Sequence, residues 1–314
     1  MSLYQIKHMS NVMTTLPKGI VSVVQTAFGA GGRVDMPSIE RLVEDAIAAG
    51  VDGFLLPVVA SEVAWLSRAE RDAILGAVSR YIRGRVPIIA GASADTPDEC
   101  AACARAGLEA GAVASLVAVP QSLYGAPAGI DAFFQEVFRV TPGPVVIQDL
   151  QFAGPGMDAG QILRLRERHE RFAGIKIETV PAGPKYSEVR SACGAGFWIA
   201  GGWAITQMIE ALDRGVDAMV PESAMIKLYK RVYHLYQSGR RGEALVLFRR
   251  LLPVLAFTNQ ELATSVAFFK RLLVRKGIFS ESRQRMPLPA WDDISGRTSS
   301  ELIEYYMSLE SEAM

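Results

Sequence analysis

Cysteine and histidine are scarce in this chain, with three of each among 314 residues. Three cysteines make no disulfide framework. Cys100 and Cys103 form a CxxC, but inside an Ala-rich helical pattern and with no second pair, so core packing is expected rather than zinc or redox chemistry. His8, His169 and His234 are scattered, with no HExxH and no carboxylate cluster at ligand spacing, so no metal is expected. Net charge is also absent: Lys plus Arg and Asp plus Glu both total 33. No basic stripe with interleaved aromatics is present, which argues against nucleic acid as a partner. Arg249-Arg250 and Lys270-Arg271 alternate with apolar residues at helical spacing and read as solvated helix faces. No uninterrupted apolar run reaches the roughly 18 residues of a membrane helix. No apolar segment with a cleavage site opens the chain; residues 1–17 read as a disordered lead-in, with Met9 or Met13 as alternative starts. The default expectation is a cytoplasmic protein. No GxGxxG follows the first strand, and Gly29-Ala30-Gly31-Gly32 reads as a flexible loop, which removes the dinucleotide fingerprint.

What is present is a strand-then-helix alternation. Half the residues are hydrophobic and 21% are charged, enough for a sizeable core. Apolar strand candidates fall at 20–26, 53–59, 86–92, 115–120, 144–150, 172–178, 197–201 and 217–221. Helical patterns between them include 36–49, 68–82, 97–110, 129–140, 158–168 and 205–214. Ser67 with Glu70 three residues on makes a capping box, and Gly50 and Gly111 fall just past helix ends. Eight such units predict a closed (β/α)8 barrel over residues 18–237, with an open doubly wound sheet as the alternative. From 224 onward only helical periodicity remains, near 224–237, 241–255, 259–276 and 299–309. Residues 238–314 therefore read as a C-terminal helical region. Its Leu245, Phe248, Leu252 and Leu255 supply apolar surface to pack on the barrel or on another subunit.

Lys176 stands out. It sits in Phe172-Ala173-Gly174-Ile175-Lys176-Ile177-Glu178, where strand alternation puts Ile175 and Ile177 on one face and Lys176 and Glu178 on the other. Helical patterns flank the run, so both faces should be covered. Burying an ammonium is costly, and a neutral amine attacks carbonyls to form a Schiff base. The plainer alternative is a strand-end lysine that reaches solvent or pairs with Glu178. A barrel's active site lies at the C-terminal strand ends. Those ends carry Thr26, Val59 to Glu62, Gln121-Ser122, Gln148-Asp149, Lys176 with Glu178, Gly201-Gly202-Trp203 and Glu222. This set has amides, carboxylates and one lysine but no histidine or metal triad, and it suits imine chemistry better than hydrolysis.

Five stretches together resemble the dihydrodipicolinate synthase / N-acetylneuraminate lyase family of class I Schiff-base aldolases. They are Thr26-Ala27-Phe28 with Gly32-Arg33-Val34-Asp35, Val58 to Glu62 with Leu66-Ser67, Pro87 to Gly91, Gly174-Ile175-Lys176, and Gly201-Gly202. The likeness runs over about residues 18–290. It implies that Lys176 attacks the 2-oxo carbon of pyruvate or a substituted 2-oxo acid. It implies too that the loop at Val59, Ala60 and Ser61 holds the carboxylate through backbone N–H groups. Ser122 and Val220 complete the substrate-binding set. The family also implies a homotetramer built as a dimer of dimers, without metal or organic cofactor.

The departures bear on the substrate. Gln148 occupies the place of the family's relay tyrosine; an amide hydrogen-bonds but does not donate and recover a proton. Val59 and Ala60 replace the loop threonines. Ser122 replaces the tyrosine that synthases borrow from a neighbour, with Tyr124 two residues on. Ala153 lies near the place of the arginine that binds a second carboxylate. Glu178 is then the candidate proton carrier, with a salt bridge to a residue such as Lys185 as the alternative. Glu62 resembles a structural carboxylate that caps backbone amides. Glu222 and Asp149 are further carboxylate candidates, and Trp203 reads as a pocket wall. The expectation is a Schiff-base lyase, aldolase or hydratase/dehydratase acting on a 2-oxo acid. The alternatives are dihydrodipicolinate synthase proper or a catalytically silent 2-oxo-acid-binding barrel.

Overall fold

The computed structural model describes residues 16–312, so all but Leu16 and Pro17 of the expected lead-in lies outside the described residues. Eight parallel strands close into a barrel in sequence order. They are β1 (Gly19–Val23), β2 (Gly53–Leu56), β3 (Ile88–Gly91), β4 (Ala114–Ala118), β5 (Val145–Gln151), β6 (Phe172–Thr179), β7 (Trp198–Gly201) and β8 (Ala218–Met219). The ladder closes through Gly19 opposite Ala218 and Ile20 opposite Met219. The doubly wound alternative is thereby excluded.

Seven helices follow the strands: α1 (Met36–Ala48), α2 (Arg68–Ile82), α3 (Pro97–Glu109), α4 (Pro127–Val140), α5 (Ala159–Arg168), α6 (Gly183–Cys193) and α7 (Met208–Asp213). Then come α8 (Ile226–Gln237), α9 (Arg241–Thr258), α10 (Leu262–Arg275) and α11 (Asp293–Glu312). The α2 capping box forms as the sequence predicts: the Glu70 N–H donates to Ser67 Oγ at 3.3 Å, and the Ser67 N–H donates to Glu70 Oε2 at 2.9 Å. Helix α6 carries Gly183 and Pro184 in its first turn and has no strong apolar stripe, so local pattern marks it poorly.

Period-two alternation sorts each strand's side chains into two cores. Outward residues such as Ile20, Phe54, Ile147 and Ile175 pack under the helices. Inward residues, among them Val21, Leu55, Ile89, Leu116, Val146 and Trp198, fill the barrel. Trp198 closes the lower end, its indole N–H donating to the Pro17 carbonyl at 2.8 Å. The floor is packed solid, so an open site exists only above it. Cys100 is fully buried on α3, and burial raises its thiol to about 11, which leaves it an unreactive core residue.

The expectation of solvated faces holds at Arg250 but not at Lys270. Lys270 on α10 is completely buried and pairs with Glu62. Phe248 and Leu255 of α9 are buried within this chain's own core, whereas Leu252 stays partly exposed. Among the described residues no helix is long and apolar enough to cross a membrane.

Candidate active site

Above the packed floor, β5 and β6 run beyond their neighbours, and their register places Gln148 beside Lys176 and Leu150 beside Glu178. Alternation turns Gln148, Lys176 and Glu178 inward together. Lys176 Nζ lies 2.6 Å from Glu178 Oε2. The Gln148 side-chain amide donates to that same oxygen at 2.6 Å, and the Trp203 backbone N–H donates to Glu178 Oε1 at 2.8 Å. Both Lys176 and Glu178 are more than nine-tenths buried. Each carboxylate oxygen is thus held, and the carboxylate is aimed at the amine.

The next strand leaves room for this arrangement. A Cβ on Gly202 would overlap Glu178 Oε1 and stand 2.8 Å from Lys176 Cε. Gly202 thus leaves space for the Glu178 carboxylate. Nothing in local sequence signals that role, because the colliding side chain belongs to another strand.

Lys176, Gln148 and Glu178 open onto a cavity of about 60 Å³ whose walls include Val59, Ala60, Val220, Leu150, Phe152, Trp203 and Glu222. The structure therefore brings six of the expected site residues together: Lys176, Gln148, Glu178, Val59, Ala60 and Val220. Phe152 was not foreseen, although it continues the inward parity of Gln148 and Leu150.

Ser61 and Ser122 do not line this cavity. Ser61 is buried behind the loop, its hydroxyl donating to the Val24 carbonyl at 2.6 Å while its carbonyl accepts from Thr26 Oγ1 at 2.7 Å. Its N–H donates to the Val58 carbonyl at 2.8 Å, which takes it out of the expected carboxylate site. Ser122 is exposed on a short 3-10 turn, Gln121–Leu123. Tyr124 points away from Lys176 and donates to Asp149 Oδ1 at 2.9 Å.

Asp149 is corrected as a site candidate, because the alternation that turns Gln148 inward turns Asp149 outward. There it pairs with Lys185, whose ammonium also donates to the Pro155 carbonyl at 2.6 Å. Burial raises the Asp149 carboxyl above its usual range, opposed by Lys185. Lys185 is therefore no partner of Glu178.

Two further carboxylates frame the site. Glu62, in the left-handed region at φ 59°, accepts the backbone N–H groups of Arg285 at 2.7 Å and Met286 at 2.9 Å and pairs with Lys270. It caps amides, as its sequence setting suggests, and pins the Val59–Ser61 turn to the C-terminal helices. Glu222 accepts the Ala224 N–H through Oε2, while its buried Oε1 has no partner. Burial, against the opposing effect of that amide, raises its carboxyl to about 7. No cluster of three or more His, Cys, Asp or Glu suited to a metal occurs among the described residues.

Comparison with known proteins follows the same lines. The dihydrodipicolinate synthetase family model matches residues 16–304. The chain belongs to that family. It is 27% identical to an L-2-keto-3-deoxyarabonate dehydratase of Azospirillum brasilense, over 90% of this chain and 92% of that one. It is 32% identical to a 4-hydroxy-tetrahydrodipicolinate synthase of Xanthomonas axonopodis pv. citri, over 83% and 85% of the two chains. The crystal structure of dihydrodipicolinate synthase from Rhodopseudomonas palustris superposes with a TM-score of 0.84 at 23% identity, covering 93% of this chain and 97% of that one. At that identity the superposition establishes the barrel alone.

Proposed function

We propose that this family member is a Schiff-base lyase that acts on a 2-oxo acid through Lys176, with Glu178 carrying the proton. The observation that carries this reading is the contact between the Lys176 amine and a carboxylate held on both oxygens. An amine must be neutral to attack a carbonyl, and Glu178 is placed to receive its proton. Nζ then adds to C2, and Glu178 returns its proton to the departing carbinolamine hydroxyl, so that water leaves and a protonated imine faces a carboxylate. That cation draws electrons from C3. With a hydroxyl at C4, Glu178 takes the C3 proton, the enamine expels the hydroxyl, and the same carboxyl returns the proton so that water leaves. In the carbon–carbon variant the proton comes from the C4 hydroxyl, the C3–C4 bond breaks, and the enamine recovers the proton at C3. Hydrolysis of the imine frees Lys176 in both cases.

The N–H groups of Val59 and Ala60 hold the substrate carboxylate in this reading, and Val220 forms the opposite wall. A fixed pair of amides binds an anion without a cationic side chain. Gln148 orients Glu178 and transfers no proton. Similarity to a named dehydratase over nine-tenths of the chain supports the elimination of water. Dihydrodipicolinate synthase proper is less well supported: Gln148 stands at the relay tyrosine, and no arginine lines the cavity. A cytoplasmic homotetramer completes the proposal. It rests on the family likeness and on exposed apolar residues of α9 such as Val246 and Leu252.

Borohydride trapping with pyruvate and other 2-oxo acids, read by intact mass and peptide mapping, tests the mechanism. An adduct on Lys176 that disappears in Lys176→Ala is expected. Absence of an adduct with every acid would sink it.

A further inference from the structure

The groups that can hydrogen-bond a substrate are unevenly placed in this cavity. Gln148, Glu178 and Lys176 are tied to one another at its base. The wall beyond them is built mainly from Leu150, Phe152, Trp203, Leu262 and Phe269, with the Ser265 hydroxyl and the Glu222 carboxyl as its polar groups. Among the lining residues Lys176 is the only cation, and imine formation commits its nitrogen to C2. The Phe152 and Trp203 rings lie 4.1 Å apart between centroids, tilted by 46°. Phe152 is 45% exposed at the cavity mouth, so its ring presents apolar surface there. The Trp203 ring cannot drift freely. Its backbone is in the left-handed region at φ 50° and its N–H is bound to Glu178.

We infer that the portion of the substrate beyond C4 is uncharged, apolar and planar, and that it seats against Phe152 and Trp203. This rests on the lysine reading above and narrows it to a substrate class, aryl- or alkenyl-substituted 2-oxo monocarboxylic acids. A second carboxylate would meet no counter-ion here. A polyhydroxylated tail would find only Ser265 and Glu222 beyond the base, and its remaining hydroxyls would face side chains that cannot pair with them, at the desolvation cost of each. An aromatic tail gains both apolar burial and ring contact.

Calorimetry and borohydride trapping on the same four probes test this: pyruvate, phenylpyruvate, 2-oxoglutarate and a 2-oxo-3-deoxypentonate. Phenylpyruvate is expected to bind at least 10-fold more tightly than the other three. In Phe152→Ala that advantage should fall about 10-fold, and circular dichroism should show the fold intact, since the exposed Phe152 ring is not part of the core. Equal or tighter binding of 2-oxoglutarate or the pentonate overturns the inference, as does an advantage that Phe152→Ala leaves intact. Loss of trapping with every acid, with the aryl preference kept in calorimetry, would sink the lysine reading and leave this inference standing.

Discussion

Lys176 and Glu178 occupy successive inward positions of one strand, and their side chains meet at 2.6 Å. Two residues of separation on a strand is the shortest spacing that puts two groups on the same face. The amine and its proton acceptor therefore move with one rigid element, which limits the geometric slack that degrades proton transfer.

Removing the acceptor separates its role from that of the amine. Glu178→Gln should form a trappable imine with pyruvate, though more slowly, while steady-state turnover falls by about 10²–10⁴-fold, the range for a lost general acid–base. Lys176→Ala should abolish both. Parallel trapping and turnover assays distinguish the two variants.

Gly202→Ala is expected to lower kcat by about 100-fold, the scale for a catalytic group displaced by about 1 Å. The added methyl meets the Glu178 carboxylate and Lys176 Cε. The fold should persist, because Gly202 has a negative φ of −142° and the atoms that the methyl meets are the ends of two side chains. Circular dichroism alongside kinetics checks the distinction.

The buried Glu62–Lys270 pair gives an asymmetric result. Lys270→Met leaves Glu62 charged and without its counter-ion, at about 3–5 kcal/mol. Adding Glu62→Gln should recover part of the lost stability. It should not recover activity, because Glu62 also holds the Arg285 and Met286 amides. Denaturant midpoints and turnover of the two variants provide the check.

Glu222 should make stability depend on pH. Its carboxyl titrates near 7 in the folded chain against an ordinary value of 4.5, with burial as the main cause and Ala224, Lys276 and Tyr229 opposing it. The native state therefore holds the proton more tightly than the unfolded one. The contribution is full below about 4.5 and is lost as pH rises through 7, on the order of 3 kcal/mol in all. Glu222→Gln should flatten this slope in urea unfolding between pH 5 and pH 8.

The barrel was legible because its signal is local: eight apolar runs, all but the sixth with a helical pattern after them, and all eight became strands. Lys176 with Glu178 was legible for the same reason, since parity alone puts them on one face. Parity could also have separated Gln148 from Asp149 and added Phe152 after Leu150. The misses are long-range. Lys270 stands next to Arg271 in the sequence, and its burial depends on Glu62, 208 residues away. Lys185 pairs with Asp149 because that carboxylate faces outward toward α6, a helix with little apolar periodicity to mark its packing in the sequence. Gly202 gains its meaning from a side chain on another strand.

The contact of Glu62 with Lys270, Arg285 and Met286 means that the last third of the chain is not a dispensable accessory. The turn that presents the Val59 and Ala60 amides is fastened from residues more than 200 positions later. Trimming the C-terminal helices to obtain a minimal barrel would release that turn, so the smallest working catalyst in this architecture extends at least to Met286.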